Sequence, residues 1–463
     1  MLDKVLHAID GRKEESLEAL KQLLAIPSVS TKPDHKPDMQ RCANWLSEKL
    51  KAAKLDVQIL PTGGGKGHPI VIAKNKHPPN RPTILFYGHY DVQPPEPLDL
   101  WQSPPFEPTV RKDENGFDAI YARGAVDDKG QVWAHCEAIA AWQAHGGLPV
   151  NLTMLIEGEE EIGSDHLEAF IRENKALLKS DLCLISDTGL YERDVPAITY
   201  SLRGLVYEEV FLTGPSHDLH SGGYGGAVPN PANELCALLT SLHDADGRVN
   251  IPGFYDDVEK LTPEEKAMWA KLPFDDKDMM KELSIPSLNG EKGYSTLERL
   301  WARPTLDING ITAGYQGHGA KTVIGAKASA KVSMRLVPRQ DAKKVQEQFR
   351  STLRERCPKN VKIEFENHGM SPAAVVPINN PATKLASEAV EVGFGKAPAL
   401  IRTGGSIPVV GLMKQALGID SILVGFGLPD DRVHSPNEKF DLDCFYKGTR
   451  TAAALYDRLA RLK

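Results

Sequence analysis

The chain has 463 residues, of which 41% are apolar and 25% charged, and its formal net charge is −7 at pH 7. That length exceeds one ordinary core and predicts two or more domains, and the negative charge argues against general nucleic-acid binding, which favours basic surfaces. No apolar run approaches a membrane span, and the start Met1-Leu2-Asp3-Lys4 lacks the basic and apolar regions of a signal peptide.

In chain order, Leu17, Leu20 and Leu24 fall on one face of a helix that Pro27 ends, and a second helix is predicted over residues 39–50. Val57 and Ile59 alternate in a short strand. The run Gly63-Gly64-Gly65-Lys66-Gly67 reads as a hairpin turn and not a phosphate loop, because no Ser or Thr follows the lysine. Residues 83–87 form a buried strand and residues 129–145 a long helix rich in Ala and Trp. Strands near 152–156 and 182–185 flank a helix over 167–178. This alternation predicts an α/β domain with a mixed, largely parallel sheet flanked by helices.

From Leu205 the texture changes. A strand over 207–213, a helix over 231–243, a strand-rich stretch over 322–337, a helix over 342–356 and a strand over 361–366 suit a two-layer α+β domain. Residues 244–310 are charged and Pro-bearing, and read as irregular with short helices. After Pro372 the first texture returns, with a helix over 380–392, a strand over 422–424 and a last helix over 446–459. Residues 1–203 and 372–463 therefore read as one domain into which residues 204–371 are inserted. Six cysteines (Cys42, Cys136, Cys183, Cys236, Cys357, Cys444) form no C-x-x-C pair, which points to free thiols in a reducing cytoplasm.

The chemistry gathers just past apolar runs, where ligands of parallel sheets collect. Leu152-Thr153-Met154-Leu155-Ile156 is followed by Glu157-Gly158-Glu159-Glu160-Glu161. Two like charges ~4 Å apart at an effective dielectric near ~20 repel by about 4 kcal/mol, so a buried cluster of this kind needs protons or cations. His89 and Asp91, two apart and on one side of a continuing strand, Asp127, Asp187 and His434 occupy similar positions. Each alone has an ordinary explanation: Asp127 or Asp128 as a helix cap, Asp187 as a turn residue, His434 as a loop histidine. Together they supply oxygen and nitrogen ligands suited to zinc or manganese, and a carboxylate that could bridge two ions.

Gly88-His89-Tyr90-Asp91-Val92-Gln93-Pro94, Arg123-Gly124 with Asp127-Asp128-Lys129-Gly130, Glu157-Gly158-Glu159-Glu160-Glu161-Ile162-Gly163-Ser164 and the late His434 occur in the order seen in a known family. Over nearly its whole length the chain resembles the co-catalytic metallopeptidases, the family of carboxypeptidase G, aminoacylase and carnosine-type dipeptidases. The resemblance implies two divalent ions, zinc or manganese. His89, Asp127 and Asp187 would hold one, and Asp127, Glu161 and His434 the other. Glu160 would be the general base, Asp91 would orient His89, and the peptide after Asp127 would be cis. In that family the position of Asp187 is usually Asp in dipeptidases and aminopeptidases, and Glu in carboxypeptidases and deacylases.

Asp218-Leu219-His220-Ser221-Gly222, Ala320-Lys321-Thr322-Val323-Ile324, Arg335-Leu336-Val337-Pro338 and Gly404-Gly405-Ser406-Ile407-Pro408 resemble the cytosolic non-specific dipeptidases. By that resemblance His220 reaches a substrate carbonyl from the partner subunit of a homodimer. Arg335 and Ser406 grip the substrate carboxylate, with Thr322 nearby. The implied protein is a cytoplasmic, homodimeric dipeptidase that hydrolyses dipeptides with metal-activated water, and residues 204–371 form its lid and dimerisation domain. The rivals are an N-acyl-amino-acid or succinyl-diaminopimelate-type amidohydrolase of the same fold, and a catalytically dead binding module.

Overall fold

The computed structural model describes residues 1–405 and 407–462. The chain divides into two compact units. The first comprises Met1–Tyr200, Val376–Ile401 and Leu412–Lys463, and the second Ser201–Val375 and Arg402–Gly411.

The first unit is built on a mixed sheet. Its strands run Asp56–Leu60, Ile70–Lys74, Asn151–Glu157, Thr83–His89, Leu182–Ile185, Asp420–Leu423 and Ala197–Leu202, in that spatial order. The four central strands are parallel, whereas Asp56–Leu60, Ile70–Lys74 and Ala197–Leu202 join antiparallel. Asn151–Glu157 and Leu182–Ile185 are buried at every residue, which is why they read as continuous apolar runs and not as alternations. Helices flank the sheet. Lys129–Ala144 is apolar around most of its circumference and buried along nearly its whole length, as expected of a central helix. Its indoles reach partners inside the core: Trp133 Nε1 donates to Ser16 O and Trp142 Nε1 to Ala453 O. A small antiparallel sheet of Lys439–Asp441, Asp118–Tyr121 and Thr109–Lys112 completes this unit. The glycine run does connect two antiparallel strands, with Gly63, Gly64 and Gly65 all at positive φ.

The second unit has a four-stranded antiparallel sheet in the order Thr305–Ala313, Lys327–Leu336, Gly204–Thr213, Lys362–Ser371. Helices Pro231–Thr240 and Ala342–Arg356 supply its core with Leu235, Leu238, Val345, Phe349 and Leu353, packed with Val206, Val210, Val332 and Met334 from the strands.

Three departures from the sequence reading have a clear physical reason. Thr305–Ala313 is a strand where irregular chain was expected. It is an edge strand, mostly exposed and broken by a register shift at Ile308/Gly310, so no apolar alternation marks it. The helix expected over 167–178 ends at Glu173, and the Asn174 side chain turns back to donate to Phe170 O. Arg402–Gly411 groups with the second unit instead of the first. The Arg402 guanidinium pairs with Glu265 and lies over Trp269, contacts between residues far apart in sequence.

Candidate metal centre

Parallel strand ends build the centre. His89 closes Thr83–His89, Glu157 closes Asn151–Glu157 beside it in register, and Asp187 follows Leu182–Ile185. Asp127 and Asp128 lie just ahead of the helix Lys129–Ala144, and the peptide between them is cis. His434 sits on the loop before Lys439–Asp441, at φ +61°.

These residues converge in two sets, His89 with Asp127 and Asp187, and Asp127 with Glu161 and His434, whose ligand atoms lie within 4.8 Å of one another in each set. Asp127 belongs to both. Its Oδ1 lies 3.1 Å from His89 Nε2 and its Oδ2 lies 2.9 Å from His434 Nε2. Glu161 Oε2 is 3.3 Å from the same His434 nitrogen. His89 Nδ1 faces the Asp91 carbonyl at 3.1 Å, an acceptor only, so Nδ1 carries a proton, and Nε2, turned to Asp127, is the nitrogen that could give its lone pair to a metal.

Asp91 touches more than His89. Its carboxylate is 3.4 Å from His89 Nδ1, but it also accepts from Glu160 N at 3.2 Å, Glu161 N at 3.0 Å and Ser30 Oγ at 2.7 Å. One buried carboxylate thus fixes the backbone of both neighbouring glutamates. Asp128 occupies a helix N-cap position, yet its side chain makes no cap hydrogen bond and instead accepts from His89 N at 3.2 Å.

The acidic run separates into distinct environments. Glu157 is buried and accepts from Tyr87 OH at 2.6 Å and Ser164 Oγ at 2.9 Å, and burial pushes it up to about 7. Glu159 is buried and accepts from His68 N at 2.9 Å and His166 Nδ1 at 2.8 Å. Gly158 between them has no room for a side chain, since a Cβ there would lie 2.5 Å from the Tyr90 hydroxyl. Glu160 is pushed up to about 9 by burial, with the charges of Asp187, Glu161 and Asp127 adding to it against His89. Asp187 is pushed up to about 7 by burial and by Asp127 and Glu161. Asp127 moves the other way: despite burial, hydrogen bonds from His434 and His89 hold it well below the usual carboxylate range. Contacts with Asp127 and Glu161 raise His434 to about 10.

The centre therefore concentrates more carboxylate charge than its two imidazoles can balance. A pair of divalent cations bound by oxygen and nitrogen would relieve that excess, so the residues fit the metals that the sequence led us to expect.

Three contributors gave no separate signal in the sequence. Gln93 Nε2 donates to Glu161 Oε2 at 2.7 Å. Arg123 and Glu438 form a buried ion pair at 2.7 Å beneath the Asp127 loop. A glutamine or a charged pair within a motif looks like any other until the contacts are known.

The substrate-binding candidates fall in the second unit. His220 lies on Leu219–His220, which pairs with Val323–Ile324, and Thr322 O accepts from Ser221 N at 3.1 Å, so His220 and Thr322 are neighbours. His220 Nδ1 accepts from Gly222 N at 2.9 Å, which leaves its Nε2 as the donor. Arg335 is half-buried on the polar face of Lys327–Leu336, alternating with the buried Met334 and Leu336. Its charge, added to burial, lowers Arg203 to about 10. Ser406 lies outside the described residues.

The sequence model of peptidase family M20/M25/M40 matches residues 85–458. The chain is 35% identical to a Cys-Gly metallodipeptidase, dug1, of Schizosaccharomyces pombe, over 99% of this chain and 98% of that protein. It is 32% identical to a Beta-Ala-His dipeptidase of Homo sapiens, over 100% of this chain and 93% of that one. Among solved structures, the M20 family metallo-carboxypeptidase Sso-CP2 of Sulfolobus solfataricus superposes with a TM-score of 0.86 at 34% identity, covering 97% of this chain and 100% of its own.

Proposed function

This chain belongs to peptidase family M20/M25/M40, and on that premise we propose that it is a dinuclear metal-dependent dipeptidase. The observation that carries the proposal is Asp127, whose two oxygens each face a different histidine and so belong to two ligand sets at once. His89, Asp127 and Asp187 would hold one ion, and Asp127, Glu161 and His434 the other, with zinc or manganese as the metal. When bound, the ions supply Lewis-acid activation of water and polarisation of the scissile carbonyl.

The chain's own groups do the rest. Glu160 takes a proton from the attacking water and delivers it to the leaving amine. Its proton affinity is raised by burial and by the charges of Asp187, Glu161 and Asp127, charges that bound cations would offset. Asp91 keeps it in place through its backbone amide and keeps His89 in the right tautomer. Arg335, with its planar guanidinium, would grip the substrate carboxylate together with Ser406, with Thr322 nearby. His220, acting from the partner subunit of a homodimer, donates to the developing oxyanion. His220→Ala should lower turnover by on the order of 100–1,000-fold, and full turnover in that variant would contradict the role.

A cytoplasmic location belongs to the same reading. It is supported by six cysteines that are all free, as in a reducing compartment. No helix among the described residues is long and apolar enough to cross a membrane.

The test is turnover of a dipeptide library by metal-free enzyme reloaded with zinc or with manganese. Cys-Gly and β-Ala-His, the substrates in the relatives' names, are the first to try. The proposal expects hydrolysis of dipeptides with a free amino end. Activity confined to N-acyl amino acids, or to N-blocked peptides as for a carboxypeptidase, would overturn it.

A further inference from the structure

We infer that Glu438 is a positioning residue that locks the Asp127 loop and the His434 loop into one frame, so that metal affinity depends on a carboxylate that is not itself a ligand. The inference rests on the proposed dinuclear centre.

Glu438 is fully buried. Its Oε2 accepts from Arg123 Nη1 at 2.7 Å and Gly124 N at 3.0 Å. Its Oε1 accepts from Val126 N at 3.1 Å and Asp127 N at 3.2 Å. All four donors come from one five-residue stretch that ends at Asp127. With two donors on each oxygen, the carboxylate has no lone pair left for a cation. It serves instead as the template around which residues 123–127 are folded, and so sets where the shared ligand starts.

The same short segment carries His434. Its base is closed by Asp431 and Lys439: Lys439 N donates to Asp431 O at 3.0 Å, and Lys439 Nζ to Asp431 Oδ1 at 2.9 Å. Asn437, next to Glu438, accepts from Gln102 N at 2.8 Å and donates to Leu100 O at 2.7 Å. Between these pins Arg432, His434 and Asn437 all hold positive φ, at 56°, 61° and 63°. Non-glycine residues stay in that region only where their surroundings over-determine them. His434 is thus a side chain on a strained loop whose far end is tied, through Glu438, to the backbone amide of Asp127.

Glutamine at 438 would turn an N–H₂ group toward either the Val126 and Asp127 amides or the Arg123 and Gly124 donors, opposing donor to donor. Residues that orient metal ligands from outside typically control affinity by ~10–100-fold. The experiment is calorimetric titration of zinc into metal-free protein, with circular dichroism as the check on folding. Wild type should bind two ions. Glu438→Gln should weaken at least one binding constant by about 10–100-fold.

The double variant Arg123→Met with Glu438→Leu removes the buried cation with the anion, which relieves the cost of an unpaired charge while leaving the loop amides unserved. It should weaken zinc binding to a similar extent. Glu208→Gln, a comparable buried carboxylate in the second unit, should lower thermal stability and leave both zinc constants unchanged. Wild-type zinc constants in folded Glu438→Gln and in the double variant would overturn the inference. Failure of both variants to fold would make Glu438 a determinant of folding and would overturn it too. A wild type that takes up no zinc would overturn the dinuclear reading and this inference with it. Two ions in wild type with no change in the variants would overturn this inference alone.

Discussion

Two buried carboxylate environments in this molecule have opposite character. In the second unit Glu208 is wholly buried and fully matched: Arg350 donates from Nε at 2.7 Å and Nη2 at 3.1 Å, Gln346 Nε2 at 2.6 Å and Asn367 Nδ2 at 2.8 Å. In the first unit Asp127, Asp187, Glu160 and Glu161 share a space with His89 and His434, and no lysine or arginine pairs with them among the described residues. The first environment is complete with its own atoms. The second is complete only with added cations or protons. Buried charge matched within the chain marks structure, and buried charge left in excess marks a site.

The widest separation between the two environments is expected in turnover. Glu160→Gln should lower it by on the order of 100–10,000-fold while retaining both ions, because only the proton carrier is lost. Steady-state rates alongside metal analysis check this, and a variant that loses metal together with rate would move Glu160 into the ligand set. The matched environment should respond in stability and not in chemistry. Glu208→Gln should cost about 1.5–3 kcal/mol in denaturant unfolding and leave the rate per folded molecule unchanged.

A smaller effect comes from His135, buried near the centre between Tyr456 OH at 2.9 Å and Ser186 Oγ at 2.8 Å. Ser186 Oγ donates onward to Val424 O at 2.6 Å, so His135 Nε2 must carry the proton. Burial pushes the folded-state value of His135 down from 6.5 to about 3. Between those values the unfolded chain binds a proton that the folded chain refuses. The contribution is therefore fully present above pH 6.5 and is lost as pH falls, at a limiting slope of about 1.4 kcal/mol per pH unit. His135→Gln should flatten that slope in metal-free protein. An unchanged slope would show that other groups dominate acid unfolding. The smallest change is expected at the exposed Arg172–Glu168 pair, where Arg172→Ala should shift stability by less than about 0.5 kcal/mol.

How much of this was legible beforehand depended on whether a feature left a local trace. His89, Asp127, Glu161, Asp187 and His434 stand just past apolar runs, and parallel strand ends bring such positions together whatever lies between them. The β-α-β pattern after Leu205 was equally visible, because Val206, Val210 and Leu212 recur on one face of a strand at a period of two. The edge strand Thr305–Ala313 was not, since an exposed strand has no buried face to reveal its period. The carboxylate of Asp91 could be paired with His89 from their spacing, but its hold on Glu160 N and Glu161 N spans about seventy residues of chain and has no sequence signature. Glu438 is hidden for the same reason, its partners lying more than three hundred residues earlier. Glu157 and Glu159 are bracketed by Tyr87, Ser164, His68 and His166, contacts that an acidic run does not announce.

In the proposed dinuclear centre Asp127 is shared by two ions and Glu160 holds none. Metal stoichiometry after zinc reconstitution of wild type, Asp127→Ala and Glu160→Ala tests it most directly. About two ions per chain are expected in wild type and in Glu160→Ala, and loss of both from Asp127→Ala. Two ions retained by Asp127→Ala, or ions lost from Glu160→Ala, would contradict it.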